Sequence, residues 1–319
     1  MEKKTPRLSR MHYGAGYSLH GEVKHPTPSL LRASQIGVLV HDEPSMADKE
    51  NRDALLVVSY GAARQETRQK ALEPLLDAIA EANPEADIYE AYTSRVMRAG
   101  VKKTMGLEMP SVEEALEALL ANGYTRAAVA SLHLFPGMEY EGMTEVFNAY
   151  RSRFKRLVLG TPLLYWMGQE EQRDDAATLV EVLRQAFPVQ EADEAILFMA
   201  HGTPHPSNSF FTLLQTRMDA AGWKNAFVYT MAGWPRLEHV MSKLKERGIR
   251  RVTLAPLMLA AGVHSARDMA GDGPDSHRSR LKAEGFEVET VLTGLGEMEE
   301  ARALYVNCVN EAWDRLLEE

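Results

Sequence analysis

Short unbroken apolar runs, each closed by a glycine or by small polar residues, alternate along this chain with stretches of helical period. In the first half the runs are ALLVVSYG (54–61), ADIYEAYTS (86–94), RAAVASLHLFPG (126–137) and RLVLGTPLL (156–164). In the second half they are AILFMA (195–200), AFVYTM (226–231), RVTLAPLMLAAG (251–262) and VETVLTGLG (288–296). Runs of this kind predict strands buried on both faces of a parallel sheet. Between them, Ala71, Leu72, Leu75, Leu76, Ile79 and Ala80 recur at helical spacing over 66–82. Ser111, with Glu114 three residues on, is a capping box that opens a helix ending at Asn122 and Gly123. Further helices are expected from 138 to about 154, over 171–187, 208–221 and 236–247, between 262 and 288, and from Glu299 to Glu318. Strands alternating with helices mean a parallel α/β sheet.

The order repeats itself, and so do residues. GYTRAAVASLHLFPG (123–137) lies over GIRRVTLAPLMLAAG (248–262), and SYG (59–61) lies over AHG (200–202). Two α/β lobes related by internal duplication follow, over 53–165 and 166–298, with a cleft between their carboxyl strand ends and a closing helix at 299–319. Residues 1–52 lack a sustained period and are rich in proline and glycine, so a flexible or draped extension is expected there. Its histidines, His12, His20, His25 and His41, match no compact ligand spacing.

Composition narrows the function classes. The 319 residues carry a formal net charge of −9, which speaks against a nucleic-acid partner and means that an anionic ligand must be met by local cations. One cysteine, Cys308, excludes an internal disulfide and a cysteine-rich metal site. No apolar run approaches the roughly 18 residues of a membrane span. No apolar segment follows the basic N-terminus to make a secretory signal, so the cytoplasm is the expected compartment.

The chemistry concentrates at the strand ends. His201 closes the run at 196–200 just before a glycine turn, where open α/β sheets hold their ligands. His264 follows the run at 251–262, in the polar loop AAGVHSARDMAGD. The duplication makes Tyr60 the counterpart of His201, and Glu139 the counterpart of His264. Two imidazoles and a carboxylate from different strands suit transient binding of a divalent metal. His205 reads as a supporting or surface residue, because Pro204 and Pro206 prevent a helix joining it to His201. His133 suits a buried or a site role equally, Glu141 a helix N-terminal carboxylate, and Asp268 and Asp272 a brace for their loop. GLG (294–296) and GDG (271–273) lack the third glycine of a dinucleotide fingerprint; a Walker sequence and a GxSxG elbow are also absent, so no organic cofactor is expected.

The segments LLVVSYG, SLHLFPGMEYE, FMAHGTPHPSN, PLMLAAGVHSARDMAGD and TGLGE together resemble the anaerobic sirohydrochlorin cobaltochelatases, a class II chelatase family, over about residues 53–316. The resemblance implies two flavodoxin-like, Rossmann-like lobes and insertion of Co(II), with Fe(II) or Ni(II) as other candidates, into sirohydrochlorin for cobalamin synthesis. It makes His201 a metal ligand and proton acceptor, His264 a second ligand, and Glu139 a residue of the cleft. The family's third ligand is a glutamate in a V-E-x-(Y/F)-P segment; here the segment is MAGWP (231–235), with Ala232 in the glutamate's place. Val263 likewise stands where aspartate is common. Both changes remove negative charge beside the metal and imply altered affinity and turnover.

Neutral imidazoles suit borderline ions, and histidine exchanges protons near neutral pH. Sirohydrochlorin carries eight carboxylates; Arg95, Arg98, Lys102, Lys103 and above all Arg267 are the candidate cations, and Tyr60, Tyr140 and Trp234 are candidates to pack on the macrocycle. The alternative function is a tetrapyrrole carrier, a haem-binding or a metal-removing protein, with an extension histidine such as His20 as axial ligand. Self-association is left open.

Overall fold

The computed structural model describes residues 36–168, 172–188 and 191–318. His12, His20 and His25 lie outside them. Two sheets stand at the centre. The first has the order β1-β5-β4-β2-β3, from β1 (Leu39–Asp42), β2 (Asp53–Ser59), β3 (Asp87–Tyr92), β4 (Arg126–Ser131) and β5 (Arg156–Leu159). The second has the order β7-β6-β8-β9, from β6 (Glu194–Ala200), β7 (Ala226–Thr230), β8 (Arg251–Pro256) and β9 (Glu287–Thr290). With β1 set aside, the two orders coincide: β2 and β6 are central, β3 and β7 flank one side, and β4 and β8 the other, followed by β5 and β9. All these pairings are parallel, so each sheet gathers its carboxyl ends along one edge.

Alternation along the strands decides which helices each face receives. In β2, Ala54, Leu56 and Val58 face the helices α3 (Val112–Ala121) and α4 (Met138–Tyr150) through Leu116, Leu119, Met143 and Phe147. Leu55 and Val57 face the other way, onto α1 (Gln65–Ala82) and α9 (Glu299–Leu317). Helix α1 runs from Gln65 to Ala82 with a π turn at Arg68–Leu72, and α2 is Arg95–Met105. In the second sheet Leu197 and Met199 face α7 (Leu237–Glu246) and α8 (His277–Ala283). Ile196, Phe198 and Ala200 face α5 (Asp175–Ala186) and α6 (Ser209–Ala220). That inner cluster is continuous through both lobes, so the cleft is framed by one shared core rather than by two separate ones.

Helix α9 returns to the first lobe. Its Tyr305, Val309, Ala312 and Leu316 are fully buried against that sheet. A Cβ on Gly160 would stand 2.8 Å from Ala312 Cβ, so the helix sits hard against the end of β5. No helix among the described residues is long and apolar enough to cross a membrane.

Three expectations need correction. The ordered chain starts before Asp53: β1 pairs antiparallel with β5, and Gly37 N–H donates to Tyr165 Oη at 2.9 Å. Four residues on an edge give too short a pattern to stand out from the proline-rich stretch around them. Helix α2 follows β3 where the sequence shows no helical pattern, since it buries Val101 alone and has Gly100 in its middle. The strand runs at 126–137, 251–262 and 288–296 end early, at Ser131, Pro256 and Thr290. Of their remaining apolar residues, Leu132, Leu257 and Leu295 are buried in the core shared by the two lobes, whereas Leu292 is exposed.

Candidate active site

His201 is the first residue beyond β6, and Gly202 after it takes φ +79°. A Cβ at Gly202 would come within 2.6 Å of Gly233 N, so only glycine lets this turn lie on the loop that follows β7. Two polar side chains fasten the loops together. Asn208 accepts from Thr203 N–H at 3.2 Å and donates to Trp234 O at 2.7 Å. Thr230 Oγ1 accepts from Gly233 N–H at 3.1 Å and donates to Pro235 O at 3.0 Å. Ala232 N–H donates to His201 O at 2.9 Å, which sets residue 232 directly beside the histidine.

His264 opens a π-helical turn, His264–Met269, after β8. Ser265 and Met269 are fully buried and anchor the turn, leaving His264, Arg267 and Asp268 on its outer side. The segment before it rests on the TGLGE loop. Leu295 N–H and Gly296 N–H donate to Met258 O and Leu259 O at 2.9 and 2.8 Å, and a Cβ on Gly294 would meet Leu259 O at 2.7 Å. Gly296 also abuts Ala71 in α1, so this loop ties the carboxyl edge of the second sheet to the first lobe.

The two imidazoles meet. Their ring centroids are 5.2 Å apart, with an interplanar angle of 76°. A metal–nitrogen bond of about 2.1 Å, plus about 1.1 Å to the ring centre, puts two rings on one tetrahedral ion roughly 5 Å apart. The spacing therefore fits one shared divalent ion. Each ring uses Nδ1 locally: His201 Nδ1 lies 3.0 Å from Gly202 O, and His264 Nδ1 lies 2.6 Å from Asp268 Oδ2. The Arg267 guanidinium beside Asp268 is the main reason its carboxyl is pulled down to about 2, with the His264 contact adding to it. Among the described residues no group of three or more His, Cys, Asp or Glu is arranged to hold a metal, so Glu139 does not complete a cage with the two histidines. Glu139 is half-buried in the first turn of α4, on the first lobe.

The surroundings are apolar and basic. Tyr60 (48% exposed), Met138, Trp234 (55%), Val263 and Leu292 are exposed large apolar side chains, and each follows the end of a strand: β2, β4, β7, β8 and β9. Exposed arginines stand at three of these ends, Arg64 after β2, Arg236 after β7 and Arg267 after β8, and a fourth, Arg95, follows β3. The sequence singled out Arg95 and Arg267 but missed Arg64 and Arg236, which a count of cations per strand end would have found. Asn208 and Thr230 were missed as well, since their loop contacts cross between separate segments.

Other candidates fall away. Tyr140 is buried, its ring packed on Tyr165 in the first lobe's core, so it offers no face to a macrocycle in the cleft. Arg98 is held by Glu114 (2.6 Å) and Met109 O, and Lys102 by Glu108 (2.5 Å). His133 is a core residue: its ring nitrogens lie 2.9 Å from Ser131 Oγ and 3.0 Å from Thr93 Oγ1, and burial lowers its pKa to about 4. His205 bridges the lobes through Glu141 Oε1 at 2.9 Å.

A duplicated, two-lobed α/β scaffold with paired imidazoles where its strand ends converge defines a protein of the chelatase fold. Solved structures of that fold align with it: SirB from Bacillus subtilis with Fe3+ (TM-score 0.55, 17% identity, 82% of this chain and 95% of that one) and SirB from Bacillus subtilis subspecies spizizenii in complex with cobalt (TM-score 0.51, 16% identity, 83% and 96%). The cobalt chelatase (CbiK) family model matches residues 53–314, and the chain belongs to that family. It is 33% identical to a sirohydrochlorin cobaltochelatase of Salmonella typhimurium (84% of this chain, 99% of the relative). It is 34% identical to the sirohydrochlorin cobaltochelatase CbiKC of Nitratidesulfovibrio vulgaris (78% and 86%).

Proposed function

We propose that this protein inserts cobalt(II) into sirohydrochlorin in the cytoplasm, with His201 and His264 as the ligands that present the ion. The observation that carries the reading is the pair of imidazoles at 5.2 Å, at the meeting of two strand tips of one sheet. Insertion exchanges one divalent ion for two pyrrole N–H protons. A site with few protein ligands favours this exchange, because the ion must leave its imidazoles for the macrocycle nitrogens. His201 takes up a pyrrole proton once the ion has moved, a task suited to histidine near neutral pH. Glu139, in the first turn of α4 on the other lobe, is the carboxylate assigned to these proton transfers. Tyr60 and Trp234 give the macrocycle apolar faces to lie on, Arg95 meets its peripheral carboxylates, and Arg267 adds the terminal nitrogen that it does not give to Asp268.

The test is anaerobic incubation of the protein with sirohydrochlorin and Co(II), followed through the change in macrocycle absorption. A rate above the uncatalysed one that vanishes in His201→Ala is expected. No enhancement, combined with tight haem binding, would replace the reading by a carrier role. Ala232→Glu sets a carboxylate next to His201 and is expected to tighten Co(II) binding and raise the insertion rate.

A further inference from the structure

We infer that Asp268 is a positioning residue for the metal site: by accepting the Nδ1–H proton of His264, it leaves Nε2 as that ring's free donor. The inference rests on the reading of His264 as a ligand. The contact is short, 2.6 Å from Nδ1 to Oδ2, and it is made within one π turn whose buried ends, Ser265 and Met269, fix where both side chains start. Asp268 is itself held. Arg267 donates to its Oδ1 through Nε at 2.6 Å and to its Oδ2 through a terminal nitrogen at 3.1 Å, so the carboxylate cannot swing away from the ring without losing both.

A neutral imidazole carries one proton and one lone pair, and the acceptor that takes the proton decides which nitrogen keeps the lone pair. A carboxylate also raises the basicity of the opposite nitrogen more than a carbonyl does. His201 obtains the same orientation from a backbone carbonyl, Gly202 O at 3.0 Å. Both rings of the pair therefore engage Nδ1 locally and keep Nε2 for another partner, but through acceptors of different strength. His264 is the ring supported by a full negative charge, and Asp268 partly offsets the small number of ligands in the site.

The experiment needs no metal for its first readout. In metal-free protein labelled with 15N-histidine, long-range 1H–15N correlation reports which ring nitrogen carries the proton; the His264 signals are identified by their loss in His264→Gln. Wild type is expected to show the proton on Nδ1. Asp268→Ala is expected to move it to Nε2 or to a mixture, and to raise the KM for Co(II) about 10- to 100-fold with little change in the KM for sirohydrochlorin. Asp268→Asn keeps an acceptor oxygen, so it should retain the tautomer and recover most of the Co(II) affinity. A proton found on Nε2 of His264 in the wild type overturns the inference, as does an Asp268→Ala protein that keeps both tautomer and KM. If wild type inserts no metal at all, the functional reading fails while the tautomer measurement still decides the role of Asp268.

Discussion

The tips of β2 and β6 are the same position in a duplicated fold. Both strands are central in their sheets, and each ends at an exposed aromatic or imidazole ring followed by a glycine at positive φ: Tyr60 with Gly61 at +105°, and His201 with Gly202 at +79°. The next pair repeats the contrast, since Glu139 and His264 lie equally far past β4 and β8. The backbone was kept in both lobes, but the nitrogen donors gathered in one. Geometry for a strand-tip ligand is thus a property of the scaffold, whereas the chemistry is a property of single side chains placed on it.

That contrast can be broken most directly at the tips themselves. His201→Ala is expected to lower insertion by about 100-fold or more, since it removes a ligand and a proton acceptor together. Adding Tyr60→His to that variant gives the first lobe an imidazole but no neighbour like His264, so steady-state kinetics should show no recovery; a return to even a tenth of wild-type rate would make the lobes interchangeable. The glycines sharpen the comparison. Gly61→Ala and Gly202→Ala should each cost on the order of 1–3 kcal/mol by denaturant unfolding, because both force a Cβ into a left-handed turn. Gly61→Ala meets the Tyr92 ring at 2.4 Å, which lies in the first lobe, while Gly202→Ala meets the backbone loop that touches His201. Insertion measured on the folded fraction should therefore fall further in Gly202→Ala.

The smallest effect near neutrality concerns one histidine in each lobe, buried in the first and half-buried in the second. Burial lowers His133 to about 4, and lowers His277, whose Nδ1 lies 2.9 Å from Tyr229 Oη, to about 4 as well. Unfolded histidine titrates near 6.5, so the unfolded chain binds these protons first. Stability is full above about 6.5 and declines as pH falls towards 4, by on the order of 2–3 kcal/mol per histidine. Melting temperature against pH should flatten in His133→Asn, and a slope unchanged from wild type would remove His133 from this account.

Much of this was legible because the informative residues are local. The run into His201-Gly202, the repeated strands and the AAGVHSARDMAGD segment are contiguous, and periodicity together with glycine placement is enough to put them at strand ends. What stayed hidden depends on contacts between distant segments. Burial of Tyr140 follows from Tyr165, the anchoring of the His201 turn from Asn208 and Trp234, and the order of 39–42 from β5. Arg98 and Lys102 read as free cations because their partners, Glu114 and Glu108, become neighbours only through the turn that ends α2.

The return of α9 has a consequence for how the molecule is made. A ribosome releases the whole first sheet long before residues 299–317 emerge, yet Leu55, Val57, Ala128 and Ala130 share a cluster with that helix as well as with α1. During synthesis the inner face of the first lobe therefore stays partly uncovered until the last helix arrives, a stage at which exposed apolar surface favours aggregation.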